Sequence, residues 1–241
     1  MKVSVVIPAY NEEKLLLRTL QSVNAARAGF ADQGWDSELI VCNNNSTDRT
    51  AEIAAAGGAT VVFEAINQIG RARNTGAAAA TGDWVLFVDA DSRPTRQLFA
   101  DAVLAAASGR AIAVGSTVKL DGGGPIWAAL AGGWNLLSRV GGLLAGSFIM
   151  VDRTVFQQLG GFSSQLFAAE EIDLSKRLRE VGRAQRRKIV ILHRTPLETS
   201  ARKTELYSPR EWFSFFVRSV VRPFSTLTRR DACSPWYDGR R

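Results

Sequence analysis

Up to residue 91 the chain alternates between two hydrophobic periods. Short apolar runs at 2–8, 38–43, 60–64 and 84–89 read as strands. Between them, 12–28, a segment from Thr47 to Gly57-Gly58, and 69–80 carry apolar residues at helical spacing, with Asn11 a candidate N-cap for the first. Strands and helices alternating at this spacing predict right-handed crossovers and a parallel sheet. Beyond residue 95 the pattern gives a helix, a strand at 112–119, a break at Gly122-Gly123-Gly124-Pro125, and an apolar helix through Trp127 and Trp134. A strand at 144–152, a short helix at 153–159 stopped by Gly160-Gly161, a helix at 169–181 and a last strand at 188–192 follow. The chain contains no internal repeat and no low-complexity linker.

Trp84 to Val88 are consecutive apolar residues bounded by Gly82-Asp83 and by acids, the mark of a strand covered on both faces. Asp89 and Asp91 stand at its C-terminal end, spaced i, i+2, which in a strand sets both on one side. Ligands of open α/β sheets bind at that edge. Two converging carboxylates suit a hard divalent cation that can hold a diphosphate. The plain alternative is that Asp91 caps a helix starting near Pro94.

At 241 residues the chain accommodates one large domain or a domain with an appendage. Met1-Lys2 leads straight into a strand, so no signal peptide is expected, and the longest apolar stretch, 140–151, is too short to span a bilayer. Cys42 and Cys233 give no disulfide framework, as expected in a reducing cytoplasm. The net charge of +7 is uneven: residues 1–175 hold 13 Lys/Arg against 17 Asp/Glu, and residues 176–241 hold 17 against 6. A basic end on a mildly acidic body points to phosphates or an anionic membrane surface, or serves solubility alone. No nucleic-acid motif accompanies it, so nucleic acid is not an expected partner.

Taken in order, these segments resemble the family 2 glycosyltransferases of the GT-A fold over about residues 2–195. Val5-Val6-Ile7-Pro8-Ala9-Tyr10-Asn11-Glu12-Glu13 looks like that family's first strand and turn. Cys42-Asn43-Asn44-Asn45-Ser46-Thr47-Asp48 stands where the family has Asp-Asp-Gly-Ser-Thr-Asp. Gly70-Arg71-Ala72-Arg73-Asn74 and Ala80-Thr81-Gly82-Asp83 are similar to its third helix and next turn, and Asp89-Ala90-Asp91 to its metal-binding DxD. Gly160-Gly161-Phe162 followed by Glu170-Glu171-Ile172-Asp173-Leu174 resembles the segment that carries the catalytic acid.

The resemblance implies an α/β protein of GT-A type, with a mainly parallel nucleotide-binding sheet flanked by helices. A nucleotide-sugar half would occupy about 1–92, an acceptor half about 93–195, and a basic helical extension 196–241. The implied activity is metal-dependent transfer from a nucleotide-diphosphate sugar to an acceptor hydroxyl, with inversion, by a cytoplasmic enzyme. The alternatives are a non-catalytic relative that binds sugar nucleotides and a nucleotidyltransferase; the latter normally has a Gly-rich phosphate loop, which Pro8-Ala9-Tyr10-Asn11 is not.

The resemblance assigns the metal, Mn²⁺ or Mg²⁺, to Asp91 with Asp89 and His193. It assigns the donor to Pro8, Ala9, Tyr10, Glu12, Asn43, Asn44, Arg71, Asn74, Asp89 and Ala90. The base maps onto Glu171, with Glu170 and Asp173 also in play, since the family usually has Glu-Asp here. Arg71 and Arg73 diverge by about 200° on a helix, so one reaches a phosphate or acceptor and the other is solvated. The asparagines at 43–45 either read a base other than uracil or only satisfy a tight turn.

In the basic tail, Ser208 as N-cap, Pro209 at the first position and Pro223 as stop define a helix. Trp212, Phe213, Phe216, Val217, Val220 and Val221 form one face and Arg218 and Arg222 another. Such a helix suits a membrane interface, with a lipid-linked acceptor and peripheral attachment, or packs against the catalytic domain. The basic segments 199–203 and 236–241 are candidates to fold over the diphosphate.

Overall fold

The all-apolar runs bury on both faces, which draws them into a sheet between two helical layers. A computed structural model describes residues 1–207, 209–233 and 237. In it β1 (Lys2–Ala9), β2 (Asp36–Asn43), β3 (Thr60–Phe63) and β4 (Trp84–Val88) pair in parallel in the order β3-β2-β1-β4. The connections are α1 (Leu16–Ala26) with the short α2 (Ala28–Ala31), α3 (Thr50–Ala56) and α4 (Ile69–Ala78). Val3, Val5 and Ile7 of β1 enter one core with Leu16, Leu20 and Phe30, while Val6 enters the other with Phe87, Phe156 and Phe162. β4 is buried along its whole length, as its uninterrupted apolar run requires.

The second half continues the same sheet. β5 (Ser92–Arg93), α5 (Arg96–Ala107), β6 (Ala111–Leu120), α6 (Gly124–Gly141), β7 (Phe148–Asp152), α7 (Arg153–Gln158), α8 (Glu170–Ala184) and β8 (Lys188–Thr199) follow in turn. The eight strands lie in the order β3-β2-β1-β4-β7-β6-β8-β5, with β7 antiparallel to β4 and β6, and β5 antiparallel to β8. β6 and β8 are parallel. Three short helices, α9 (Arg202–Leu206), α10 (Pro209–Val221) and α11 (Pro223–Leu227), close the described chain.

Three expectations change. Asn11 does not cap α1: it sits at φ 51°, and its Oδ1 accepts from the Thr47 N–H at 2.8 Å, so it ties two loops together. α1 starts later, at Leu16, without a side-chain cap. The last strand does not stop at 192. It recovers register after an irregularity between Leu192 and Leu197 and runs to Thr199, past the boundary expected at 195. Asp91 is not a cap either, because Thr95 supplies the side chain that accepts from Leu98 N–H at the start of α5.

α4 lies so close to β1 that a Cβ on Gly76 would come within 2.3 Å of Val6 Cγ1. Gly76→Ala is expected to lose about 1–3 kcal/mol in urea denaturation, from overpacking. The loss should appear despite the roughly 1 kcal/mol of helix propensity that alanine adds.

Candidate active site

β4 ends at Val88, so Asp89 and Asp91 lie in the turn that follows and not in the strand. The turn sends them to different partners. Asp89 Oδ1 accepts from Arg73 Nη2 at 3.0 Å, and Asp91 lies 3.9 Å from Arg202 Nη2 and 3.4 Å from the Thr199 hydroxyl. Both still face the same space. They line a cavity of about 400 Å³ together with Arg73, Glu170, Glu171 and Trp134. They also line a smaller one, of about 80 Å³, with Pro8, Tyr10 and Arg202.

Arg73 organises the larger cavity. It projects from α4, is 1% exposed, and donates to Glu170 Oε1 at 2.6 Å, to Asp89, and to the Gly146 carbonyl at 2.9 Å. Its guanidinium carbon lies 5.2 Å from the Phe162 ring centroid, while its Nε is buried with no hydrogen-bond partner. Burial alone would weaken the cation, but Asp89, Glu170 and Glu171 around it hold it protonated. A Cβ at Gly146 would come within 3.2 Å of Nη2, so a side chain there would crowd the guanidinium.

The first turn of α8 carries three carboxylates at the positive end of the helix dipole. Ala169, in the left-handed region at φ 60°, turns the chain into that helix. The three acids then separate by partner. Glu170 is buried against Arg73, and Asp173 pairs with Arg177 at 2.7 Å. Glu171 has no ion pair among the described residues and lines the larger cavity. Burial first, and then the neighbouring Glu170 charge, push its carboxyl up to about 8.

Arg202 organises the smaller cavity. Its Nη1 and Nη2 each donate at 2.9 Å to the buried Glu12 carboxylate, in a bidentate pair that fixes the segment after β8 onto the turn after β1. Its Nε is also buried without a partner. A fixed guanidinium on a small cavity lined by Pro8, Ala9 and Tyr10 suits an anionic group.

The fold has counterparts. A model of glycosyl transferase family 2 matches residues 4–160. The chain belongs to glycosyl transferase family 2. The family 2 chain is 40% identical over 89 residues to an uncharacterised glycosyltransferase of Mycobacterium tuberculosis, covering 37% of this chain and 36% of that protein. It is 36% identical over 105 residues to the glucosyl-3-phosphoglycerate synthase of the same organism, covering 40% and 31%. These matches thus span about a third of each relative. Its fold matches the Pyrobaculum calidifontis mannosyltransferase PcManGT in complex with GDP-Man and Mn²⁺ (TM-score 0.68, 20% identity, 91% of this chain and 64% of that one). It also matches Mycobacterium tuberculosis glucosyl-3-phosphoglycerate synthase with Mn²⁺, UDP and phosphoglyceric acid (TM-score 0.61, 23% identity, 91% and 76%). The architecture is therefore that of the GT-A glycosyltransferases.

Within this family 2 fold, Pro8, Ala9, Tyr10, Glu12, Asn44, Asp89, Ala90 and Asp91 converge on the smaller cavity. Four other candidates do not line it. His193 is exposed, near the level of Ser116 on β6, whereas the site lies at the level of Thr199 and Leu120. Four residues of strand, on the order of 13 Å, separate the two levels. Asn74 is a clip, its amide both donating to and accepting from the Phe162 backbone at 2.9 Å. Arg71 bonds Gln68 at 3.1 Å, and Asn43 accepts from Ser46 N–H at 3.0 Å. Asn44 does line the cavity, yet both its donors go to the Glu64 and Ile66 carbonyls and its oxygen accepts from Gln68 N–H, as a turn residue's would.

In the sequence Arg73 is half of an undecided pair with Arg71, and its place on the buried face of α4 is what distinguishes it. Arg202 was visible only as part of a basic segment. Among the described residues, no three His, Cys, Asp or Glu side chains gather as a protein-only metal cage. Asp91, with Asp89 beside it, instead fits the one- or two-carboxylate site on which Mg²⁺ or Mn²⁺ sits with waters and substrate phosphates.

α10 also departs from its expected face. Among its described side chains, Phe215, outside the expected stripe, is buried and packs with Ala168 and Cys233, while Val217 and Val221 are exposed. Trp212 meets Trp127 of α6 edge-on at 6.3 Å and lines the larger cavity. Ser208, the 236–241 segment apart from Tyr237, and the side chains of Phe213, Phe216 and Val220 lie outside the described residues.

Removing the Arg73 cation leaves Glu170 buried and unpaired. Arg73→Met is expected to cost about 3–5 kcal/mol in denaturant unfolding, and the added Glu170→Met to recover most of it. Equal, additive losses in the double-mutant cycle would show the two are not coupled.

Proposed function

We propose that the protein transfers a glycosyl group from a nucleotide-diphosphate sugar to an acceptor hydroxyl, with inversion and with Glu171 as the general base. The observation that carries this reading is that Glu171 alone of the three first-turn acids is not held by an arginine, and it faces the same cavity as Asp91. The donor diphosphate would occupy the smaller cavity beside Arg202, and the sugar would extend toward Glu171. Glu171 takes the hydroxyl proton as the acceptor oxygen bonds to the anomeric carbon. The bond from that carbon to the diphosphate breaks, and the nucleoside diphosphate leaves with the electron pair. Arg202 faces the charge that develops there. A divalent cation held by Asp91 and Asp89 supplies further neutralisation of the diphosphate when bound.

A carboxyl raised well above its ordinary value is a stronger base for the hydroxyl proton near neutral pH, which is what its buried, like-charged surroundings provide. The acceptor end of the larger cavity is walled by Trp127, Leu130, Trp134 and Trp212. That wall favours an acceptor with an apolar portion, such as a lipid-linked sugar or an envelope-glycan precursor. Free Cys42 and Cys233 accord with a cytoplasmic enzyme.

Calorimetric titration of UDP-, GDP- and TDP-sugars with and without Mn²⁺ should find one that binds, with affinity lowered about 10–100-fold in Asp91→Ala. Absence of binding by all three with metal present would sink the donor assignment. Glu171→Gln is expected to lower kcat about 10²–10⁴-fold while leaving donor affinity intact. For the wild type, kcat/KM should rise with pH along a limb above the ordinary glutamate range, since the ionised form is the active base. The same raised carboxyl binds its proton more tightly in the folded than in the unfolded chain, so stability should fall as pH climbs from about 4.5 toward 8. Glu171→Gln should flatten that fall. A variant that keeps its activity, or a stability profile unchanged by it, would move the base elsewhere.

A further inference from the structure

α6 is apolar on more of its surface than the fold uses. Its inner face is engaged: Asn135 bonds the Val118 N–H and C=O at 2.9 Å, Ser138 bonds the Leu143 carbonyl, and Trp127 and Trp134 line the larger cavity. At 100° per residue, Ile126, Leu130, Leu136, Leu137 and Val140 fall within a single arc of about 120° on the opposite side. All five are exposed, from 58% for Leu130 to 81% for Val140. The stripe runs about 21 Å along the helix, and Arg139 is the only charged residue between Gly124 and Gly141. An unbroken apolar stripe of this length on a protein surface marks an interaction site.

What lies at the end of the stripe identifies the occupant. Val140 and Arg139 form one rim of a hollow of about 500 Å³, whose remaining charges are Arg179, Arg183, Arg187 and Lys188. No carboxylate lines it. Arg187 is committed to Asp152, and Arg179 donates to the Gly141 carbonyl. Arg139, Arg183 and Lys188 are exposed and have no ion pair among the described residues. Cations converging on a hollow that no carboxylate lines, next to a stripe of leucine, isoleucine and valine, complement an interface that presents phosphate above hydrocarbon.

We propose that α6 docks the protein on an anionic membrane surface, with Ile126, Leu130, Leu136, Leu137 and Val140 entering the headgroup–acyl boundary and the basic hollow taking a lipid phosphate. This does not rest on the transfer reading, since the surface lies outside the candidate base and metal residues. Leu130 belongs both to the stripe and to the cavity wall, so docking would set the acceptor end of the cavity at the level of the membrane.

The test is sedimentation of the full chain with vesicles of phosphatidylcholine alone and with about 30% phosphatidylglycerol added, at low and high salt. Binding should be at least about tenfold tighter to the anionic vesicles and weaken with salt. Leu137→Glu with Val140→Glu should lower it about tenfold or more, and Arg139→Gln with Arg183→Gln should lower it several-fold and blunt the salt dependence. All four side chains are exposed, so thermal midpoints should stay at the wild-type value and report an intact fold. Indifference of the wild type to both vesicles would overturn the proposal, as would wild-type binding by both double variants. So would a solution dimer that Leu137→Glu with Val140→Glu dissociates without any vesicle binding, which would assign the stripe to a second copy.

Discussion

The arrangement of the site depends on one buried cation. Arg73 is sealed from water on α4 of the first half, yet its two partners, Glu170 and Asp89, come from α8 and from the turn after β4. A guanidinium in that position is costly unless both its forks are met, so the three segments are held in one geometry or the cation is left uncompensated. Gly146 and Phe162 complete the enclosure, one by having no side chain to obstruct it and the other by presenting a ring to the guanidinium. Asn74, one residue along the same helix, clips the Phe162 backbone and so fixes the loop that leads toward α8.

One cation cannot satisfy three carboxylates equally. Arg73 takes Glu170 and Asp89 by direct hydrogen bonds and leaves Glu171 with only its longer-range field. Glu171 therefore feels burial and the Glu170 charge, both of which oppose ionisation. The residue that the ion-pair network omits is thus the one whose carboxyl is raised. On the other side of Asp89 and Asp91, Arg202 repeats the device with Glu12, so each cavity has its own fixed guanidinium and the two acids of the turn after β4 stand between them.

α6 serves two environments at once. Its tryptophans wall the cavity while its aliphatic residues face outward, and a helix with so little charge has no polar face to turn to solvent. α10 closes the same cavity from outside the sheet by placing Trp212 against Trp127. The wall of the larger cavity is thus built from elements that contribute little to the two main cores, whereas the smaller cavity is built at the ends of β1 and β4, whose apolar residues lie in those cores.

The linear pattern determined the elements of the first half, because a strand buried on both faces must be apolar throughout and a helix on a sheet must be apolar at its own period. The order of the motifs determined the family, and with it the choice of Asp89, Asp91 and the acids at 170–173 as candidates. Three kinds of information lay outside that pattern. β5 is two residues long and exists only because β8 passes beside it, so no local signal specifies it. His193 is a plausible ligand by sequence, yet it follows Leu192, which pairs with Ser116, and so stands several residues of strand away from the level of Thr199 and Leu120. The choice of Arg73 over Arg71, the union of Arg202 with Glu12 across most of the chain, and the isolation of Glu171 were decided only in three dimensions. A sequence specifies which charges are present, but burial and distance determine which of them pair and which is left able to react.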